Sequence, residues 1–200
     1  ATAGAKVVVS DVGDGTATAD AVGGAYVKHD VTVEADWAAA VAFTRETFGG
    51  LDILVNNAGV FWMKPIVETA LEDFRRMQQV NVEGVFLGLK HAIPAIAERA
   101  QRWDGGGSII NLSSVAGLIG VPALAGYCAS KGAVRLLSKS IALHCARAGY
   151  HIRCNSVHPS FIDTPMVEAM AHGMAQAVGD VTKARAQLEK AVPLRRLGHV

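Results

Sequence analysis

Short apolar runs alternate with longer stretches of helical character along the whole chain, and this alternation restricts the fold more than any other feature. Val7-Val8-Val9 reads as a strand ending at Asp11, and a second strand runs through Tyr26-Val27 to Asp30. Residues 51–55 form a third, leading into Asn56-Asn57-Ala58-Gly59. Residues 108–112 and 152–157 are two more, ending at Ser113-Ser114 and His158-Pro159. Between them the pattern predicts a short helix before Tyr26 and longer ones over 34–48, 68–98 and 126–148. Apolar strands buried on both faces and joined through helices imply parallel crossovers. The predicted fold is therefore α/β, a doubly wound parallel sheet in a single domain over residues 1–200. Such sheets bind ligands beyond the carboxyl ends of their strands. Asp11, Asp30, Asn57, Ser114 and Pro159 all fall at or just after predicted strand ends, so the topology brings five distant positions to one rim.

Composition narrows the partners. With 200 residues, half of them apolar, there is enough chain for one substantial core. A formal net charge of +1 without a long run of like charge gives no case for nucleic acid or an anionic membrane. Gly117, Gly120 and Pro122 break the apolar stretch at 115–125, which reads as a loop and not a membrane span. Cys128, Cys145 and Cys154 have no C-x-x-C spacing and are odd in number, so they read as reduced thiols in a cytoplasmic protein. No histidine pair has metal-ligand spacing, and no metal is expected.

The chemistry concentrates in three residues. Tyr127 and Lys131 lie four apart in Y-C-A-S-K, and Ser114 lies 13 residues upstream in N-L-S-S-V-A-G. Positions i and i+4 share a helix face, so the ammonium is expected beside the phenol. A nearby cation lowers a phenol pKa toward neutrality and makes it a general acid or base. Ser114 can donate to a substrate oxygen and hold it against Tyr127. None of the three supplies a hydride, so a cofactor is required.

Taken in order, these motifs resemble the short-chain dehydrogenase/reductase family, with its Rossmann-like fold, over essentially all of the chain. The carriers are Asp11, Asp30-Val31, N-N-A-G at 56–59, Asn81 in Q-V-N-V-E-G, Ser114, Tyr127, Lys131 and the H-P-S-F-I-D-T-P run at 158–165. The texture of K-H-D-V, E-A-D-W and N-S-V-H-P is similar to bacterial NAD-dependent hydroxysteroid and alicyclic-alcohol dehydrogenases. The family's first strand and glycine-rich loop, and its last helix and strand, are not found, so the chain reads as part of a longer enzyme truncated at both ends.

The resemblance implies roles. Asp11 would accept from the adenosine ribose hydroxyls and, with no adjacent Arg or Lys in sequence, favour NAD over NADP. Asp30 and Val31 would hold the adenine edge, although Asp30 reads equally well as the N-cap of the next helix. Asn57, Ala58 and Gly59 would let backbone approach the cofactor. Pro159, Ile162 and Thr164 would carry the nicotinamide, with Ser160 standing where the family has Gly, a source of backbone strain. Asn81 would hold a relay water for Lys131, its carbonyl exposed by a helix irregularity. Ser113 is assigned to packing or a hydrogen bond within its loop, Cys128 to packing, and His158 to structure. Met166, Met170 and Met174 recur every four residues, either as a lid over an apolar substrate or as core packing. Region 165–193 is expected to form the substrate loop.

The implied activity is hydride transfer between NAD(H) and a hydrophobic secondary alcohol or ketone, in a homotetramer or homodimer. An NADP-dependent carbonyl or 3-oxoacyl reductase is the enzymatic alternative. A non-catalytic cofactor-sensing or scaffold homologue is the alternative of another class.

Overall fold

The computed structural model describes residues 2–199, without the side chains of Gln176 and Ala177. Among these residues the strands are β1 (Val8–Asp11), β2 (Ala25–Lys28), β3 (Ile53–Asn56), β4 (Gly107–Leu112) and β5 (Ile152–Val157). The α-helices are α1 (Thr16–Ala21), α2 (Glu34–Phe48), α3 (Leu71–Gln78), α4 (Gly84–Ala100), α5 (Ala125–Arg147), α6 (Pro165–Val178) and α7 (Val181–Ala191). Every strand pairing is parallel, as the intervening helices require.

The strands divide into two sheets, β1-β2 and β3-β4-β5, where the sequence pattern predicts one. β1 and β3 flank a common recess without pairing. The expectation of strands buried on both faces holds for the central β4, which has no exposed residue. It fails for β3, an edge strand whose Ile53 and Val55 remain 54% and 51% exposed.

The main core lies between α4, α5 and the three-stranded sheet. Val85, Leu89, Ala92, Ile93 and Ile96 repeat at helical spacing along one face of α4 and meet Ile109, Val134, Cys145, Ile152 and Cys154. A second, smaller core joins α6 and α7 through Val167, Ala171, Ala184, Leu188 and Leu197. Arg185 on α7 pins this unit to the chain that leaves β5, donating to Asp163 at 2.8 Å and to Glu168 at 3.2 Å. A parallel bridge between Ile162 and Gly198 closes the same junction.

The helical region predicted over 68–98 begins at Leu71, after a 3-10 turn at Ile66–Glu68, and runs on to Ala100. Its middle is a π turn over Gln79–Glu83, which contains Asn81. Asp30 does not cap α2. Its carboxylate accepts from the backbone and hydroxyl of Thr32, and the N-cap position is Val33.

Candidate active site

Three elements converge at the carboxyl end of β4. Ser114 leaves the strand with extended backbone and caps the 3-10 turn Val115–Gly117, its Oγ accepting from the Ala116 amide at 3.1 Å. Val115 donates to the Pro159 carbonyl at 3.0 Å, and His158 Nδ1 donates to the Ser114 carbonyl at 3.0 Å. The end of β5 thus fixes the Ser114 loop, which gives His158 its structural role. Gly117 lets this turn approach α5, because a Cβ there would stand 2.6 Å from Ser113 Oγ and 2.7 Å from the Lys131 carbonyl. Ser113 Oγ donates to that same carbonyl at 2.8 Å, so it bonds α5 and not its own loop.

Tyr127 and Lys131 lie on one face of α5, with the ammonium 5.7 Å from the phenol ring centre. Lys131 is buried and donates to the Leu112 carbonyl at 2.7 Å. Burial pushes the Tyr127 phenol above its ordinary value, and the Ser114 hydroxyl draws it partly back. Burial also pulls Lys131 down to about 8. The sequence reading that Lys131 lowers the phenol is therefore corrected. Desolvation of the partly buried phenol outweighs an ammonium more than 5 Å from its ring.

Asn81 is fully buried in the π turn. Its Oδ1 accepts from the Val60 amide at 2.8 Å and its Nδ2 donates to the Val60 carbonyl at 2.9 Å. The same Nδ2 donates to Ser130 Oγ at 3.0 Å, and Ser130 donates to the Tyr127 carbonyl at 2.8 Å. Sequence reasoning missed Ser130. Its signal was a hydroxyl between Tyr127 and Lys131, one turn from Tyr127, on a helix that also buries Lys131 and Ser138.

A cleft of about 520 Å³ runs past these groups, lined by Asp11, Asn57, Ala58, Gly59, Ser114, Tyr127, Lys131, Pro159, Ile162 and Thr164. A recess of about 100 Å³ adjoins it through Asp11, Asn57 and Ala58, and Val31 lines its wall. Asp30 and Asn81 do not line the cleft. The Asp11 carboxylate accepts from the Gly13 amide at 2.8 Å, and the β1–β2 register sets Lys28 opposite it. The sequence reading saw no cation beside Asp11 because Lys28 is its neighbour only across strands. The strain expected at Ser160 does not arise: among the described residues, positive φ outside glycine occurs at Ala123, His151 and Arg195. An elongated cleft with a carboxylate at one end and an ammonium and phenol farther along fits a nicotinamide dinucleotide.

The whole chain, residues 1–200, matches the family described as enoyl-(acyl carrier protein) reductase. The chain belongs to the short-chain dehydrogenase/reductase family. Membership places it among NAD(P)-dependent oxidoreductases of CH–OH groups. It is 41% identical over 188 residues to the NADP-dependent (R)-specific alcohol dehydrogenase of Lentilactobacillus kefiri, covering 90% of this chain and 72% of that protein. It is 42% identical over 170 residues to the 3-beta-hydroxysteroid dehydrogenase of Comamonas testosteroni, covering 83% of this chain and 65% of that one. The ligand-free structure of Thermoplasma acidophilum aldohexose dehydrogenase superposes with a TM-score of 0.84 at 30% identity, covering 98% of this chain and 72% of that one. The chain therefore spans about two thirds of the length of these relatives.

A second, apolar recess opens beside Tyr127 and Ser114, with Phe61, Phe161, Met166 and Met170 among its walls. The methionine stripe divides: Met166 and Met170 face this recess, while Met170 and Met174 pack on the α6–α7 core. Among the described residues no helix is long and apolar enough to cross a membrane, and no His, Cys, Asp or Glu group could hold a metal.

Proposed function

We propose that this chain transfers a hydride between NAD(H) and a hydrophobic secondary alcohol or ketone. The observation that carries the reading is the meeting of Ser114, Tyr127 and Lys131 along one wall of the cleft, beside an apolar recess. When bound, the nicotinamide supplies or accepts the hydride.

In this reading Tyr127 moves the substrate proton. Its raised pKa keeps the phenol protonated at neutral pH, a state suited to donating to a forming alkoxide. Ser114 orients and stabilises the substrate oxygen. Lys131 binds the cofactor ribose and hands protons to Tyr127. The Asn81 π turn supports the relay, and its side chain fixes Val60 at the cleft's edge. Asn57, Ala58, Gly59, Asp30 and Val31 hold the adenosine half, and Pro159, Ile162 and Thr164 the nicotinamide half.

Asp11 supports NAD, since a carboxylate there repels a 2′-phosphate. Lys28 across the strand and the NADP-dependent relative favour a second reading, an NADP-linked carbonyl reductase. Residues 165–193, whose helices pack on their own core, form the substrate loop. Exposed Phe86, Leu136 and Leu143 on α4 and α5 support a homotetramer or homodimer. Three free thiols suit a cytoplasmic setting.

The test is alcohol oxidation and ketone reduction by the wild type and Tyr127→Phe, each with NAD(H) and NADP(H). The wild type should work better with NAD(H), and Tyr127→Phe should lose about 10²–10⁴ in kcat, the range of positioned proton transfer. Undiminished turnover by Tyr127→Phe would remove Tyr127 from the chemistry.

A further inference from the structure

We infer that Ser130 is a positioning residue for the proton transfer, holding the Tyr127 turn of α5 in register with the Asn81 π turn; this rests on the oxidoreductase reading above. Ser130 is fully buried and lines neither the cleft nor the apolar recess, so it acts through its neighbours.

Its two hydrogen bonds have a forced direction. Ser130 Oγ lies 2.8 Å from the Tyr127 carbonyl, which can only accept, so the hydroxyl proton points there. The oxygen must then accept from Asn81 Nδ2, 3.0 Å away. The Asn81 side chain offers one carbonyl oxygen and two amide hydrogens. The oxygen takes the Val60 amide at 2.8 Å, one hydrogen goes to the Val60 carbonyl at 2.9 Å, and the other goes to Ser130. Turning the amide over would set oxygen against the Val60 carbonyl. A directed chain therefore runs from Val60, which follows Gly59 of the cleft wall, through Asn81 and Ser130 to the Tyr127 backbone. The members of such a chain polarise one another.

The same turn of α5 is gripped at two further carbonyls. Ser113 Oγ donates to that of Lys131 at 2.8 Å, which ties the turn to the strand end that carries Ser114. Gln78 Nε2 reaches that of Gly126 at 3.3 Å, from the end of α3. That bond is longer and precedes the π turn, so it does not duplicate Ser130. Asn81 and Ser130 are each 0% exposed, and a broken bond between them finds no solvent to replace it. Without the Ser130 oxygen, one Asn81 N–H is buried with no partner. It regains one only if the π turn or α5 moves, and either motion shifts Asn81 against Tyr127.

The experiment measures kcat and KM of the full chain on a panel of cyclic and acyclic secondary alcohols with its preferred cofactor. The proteins compared are the wild type, Ser130→Ala, Asn81→Ala and the double variant. Alanine has the highest helix propensity, so Ser130→Ala keeps α5 helical. It should lower kcat about tenfold and leave the cofactor KM within about twofold, a smaller effect than the roughly 100-fold cost of a 1 Å misplacement. The double variant should be no slower than Asn81→Ala alone, because residues that act as a unit are not additive. Wild-type kcat in Ser130→Ala would overturn the inference. So would losses that multiply in the double variant, or a raised cofactor KM with kcat unchanged. Ser130→Cys, close in size and a weaker acceptor, replaces Ser130→Ala in every comparison if that variant does not fold. A folded wild type that oxidises no alcohol of the panel would overturn the oxidoreductase reading itself, and the role of Ser130 with it.

Discussion

Lys131 shows how one buried charge links the site to the stability of the molecule. Its pKa falls from 10.5 to about 8 because burial penalises the ammonium. Below about 8 both folded and unfolded chains hold the proton, and the folded state bears the cost of a buried cation. Between about 8 and 10.5 the unfolded chain binds a proton that the folded chain has released, so stability rises with pH across that window. The gain is on the order of 3 kcal/mol. Tyr127 acts in the opposite sense above 10, where its raised pKa makes the folded state hold a proton that the unfolded chain loses. Thermal melts of the wild type should therefore climb between about pH 8 and 9, above which the raised Cys145 and Cys154 thiols oppose the gain. Lys131→Met should flatten the climb, and an unchanged slope in the variant would assign it to other groups. The i, i+4 spacing made the Tyr127–Lys131 pairing legible in the sequence. The direction of the phenol's shift was not, because it depends on how much water the surrounding loops exclude.

At the scale of elements, the loop after β4 depends on a close approach. A methyl on Gly117 would collide with Ser113 Oγ and the Lys131 backbone, and backbone cannot retreat as a side-chain tip does. Gly117→Ala should lower stability by about 1–3 kcal/mol, the usual cost of overpacking, and should depress kcat more than the melting temperature suggests, because Ser114 and α5 separate together. Denaturant titration alongside steady-state kinetics checks both parts. Polar residues closing apolar runs announced where strands end, so Asp11, Asn57, Ser114 and Pro159 were readable as rim positions. The π turn at Asn81 accords with the helix irregularity expected of it. Contacts made across elements were not readable. Ser130 bridges Asn81 to the Tyr127 carbonyl, and Arg185 holds Asp163 and Glu168 from α7. Neither partnership leaves a periodic trace in the sequence.

For the whole molecule, the parallel α/β class was legible because helices separate every pair of apolar runs. The division into β1-β2 and β3-β4-β5 was not, since strand periodicity carries no record of which strands are neighbours. The smaller α6–α7 core is fastened to the chain after β5 by Arg185, through ion pairs to Asp163 and Glu168. Such partly exposed pairs weaken as salt screens them, so ionic strength tunes how firmly that corner of the molecule is held.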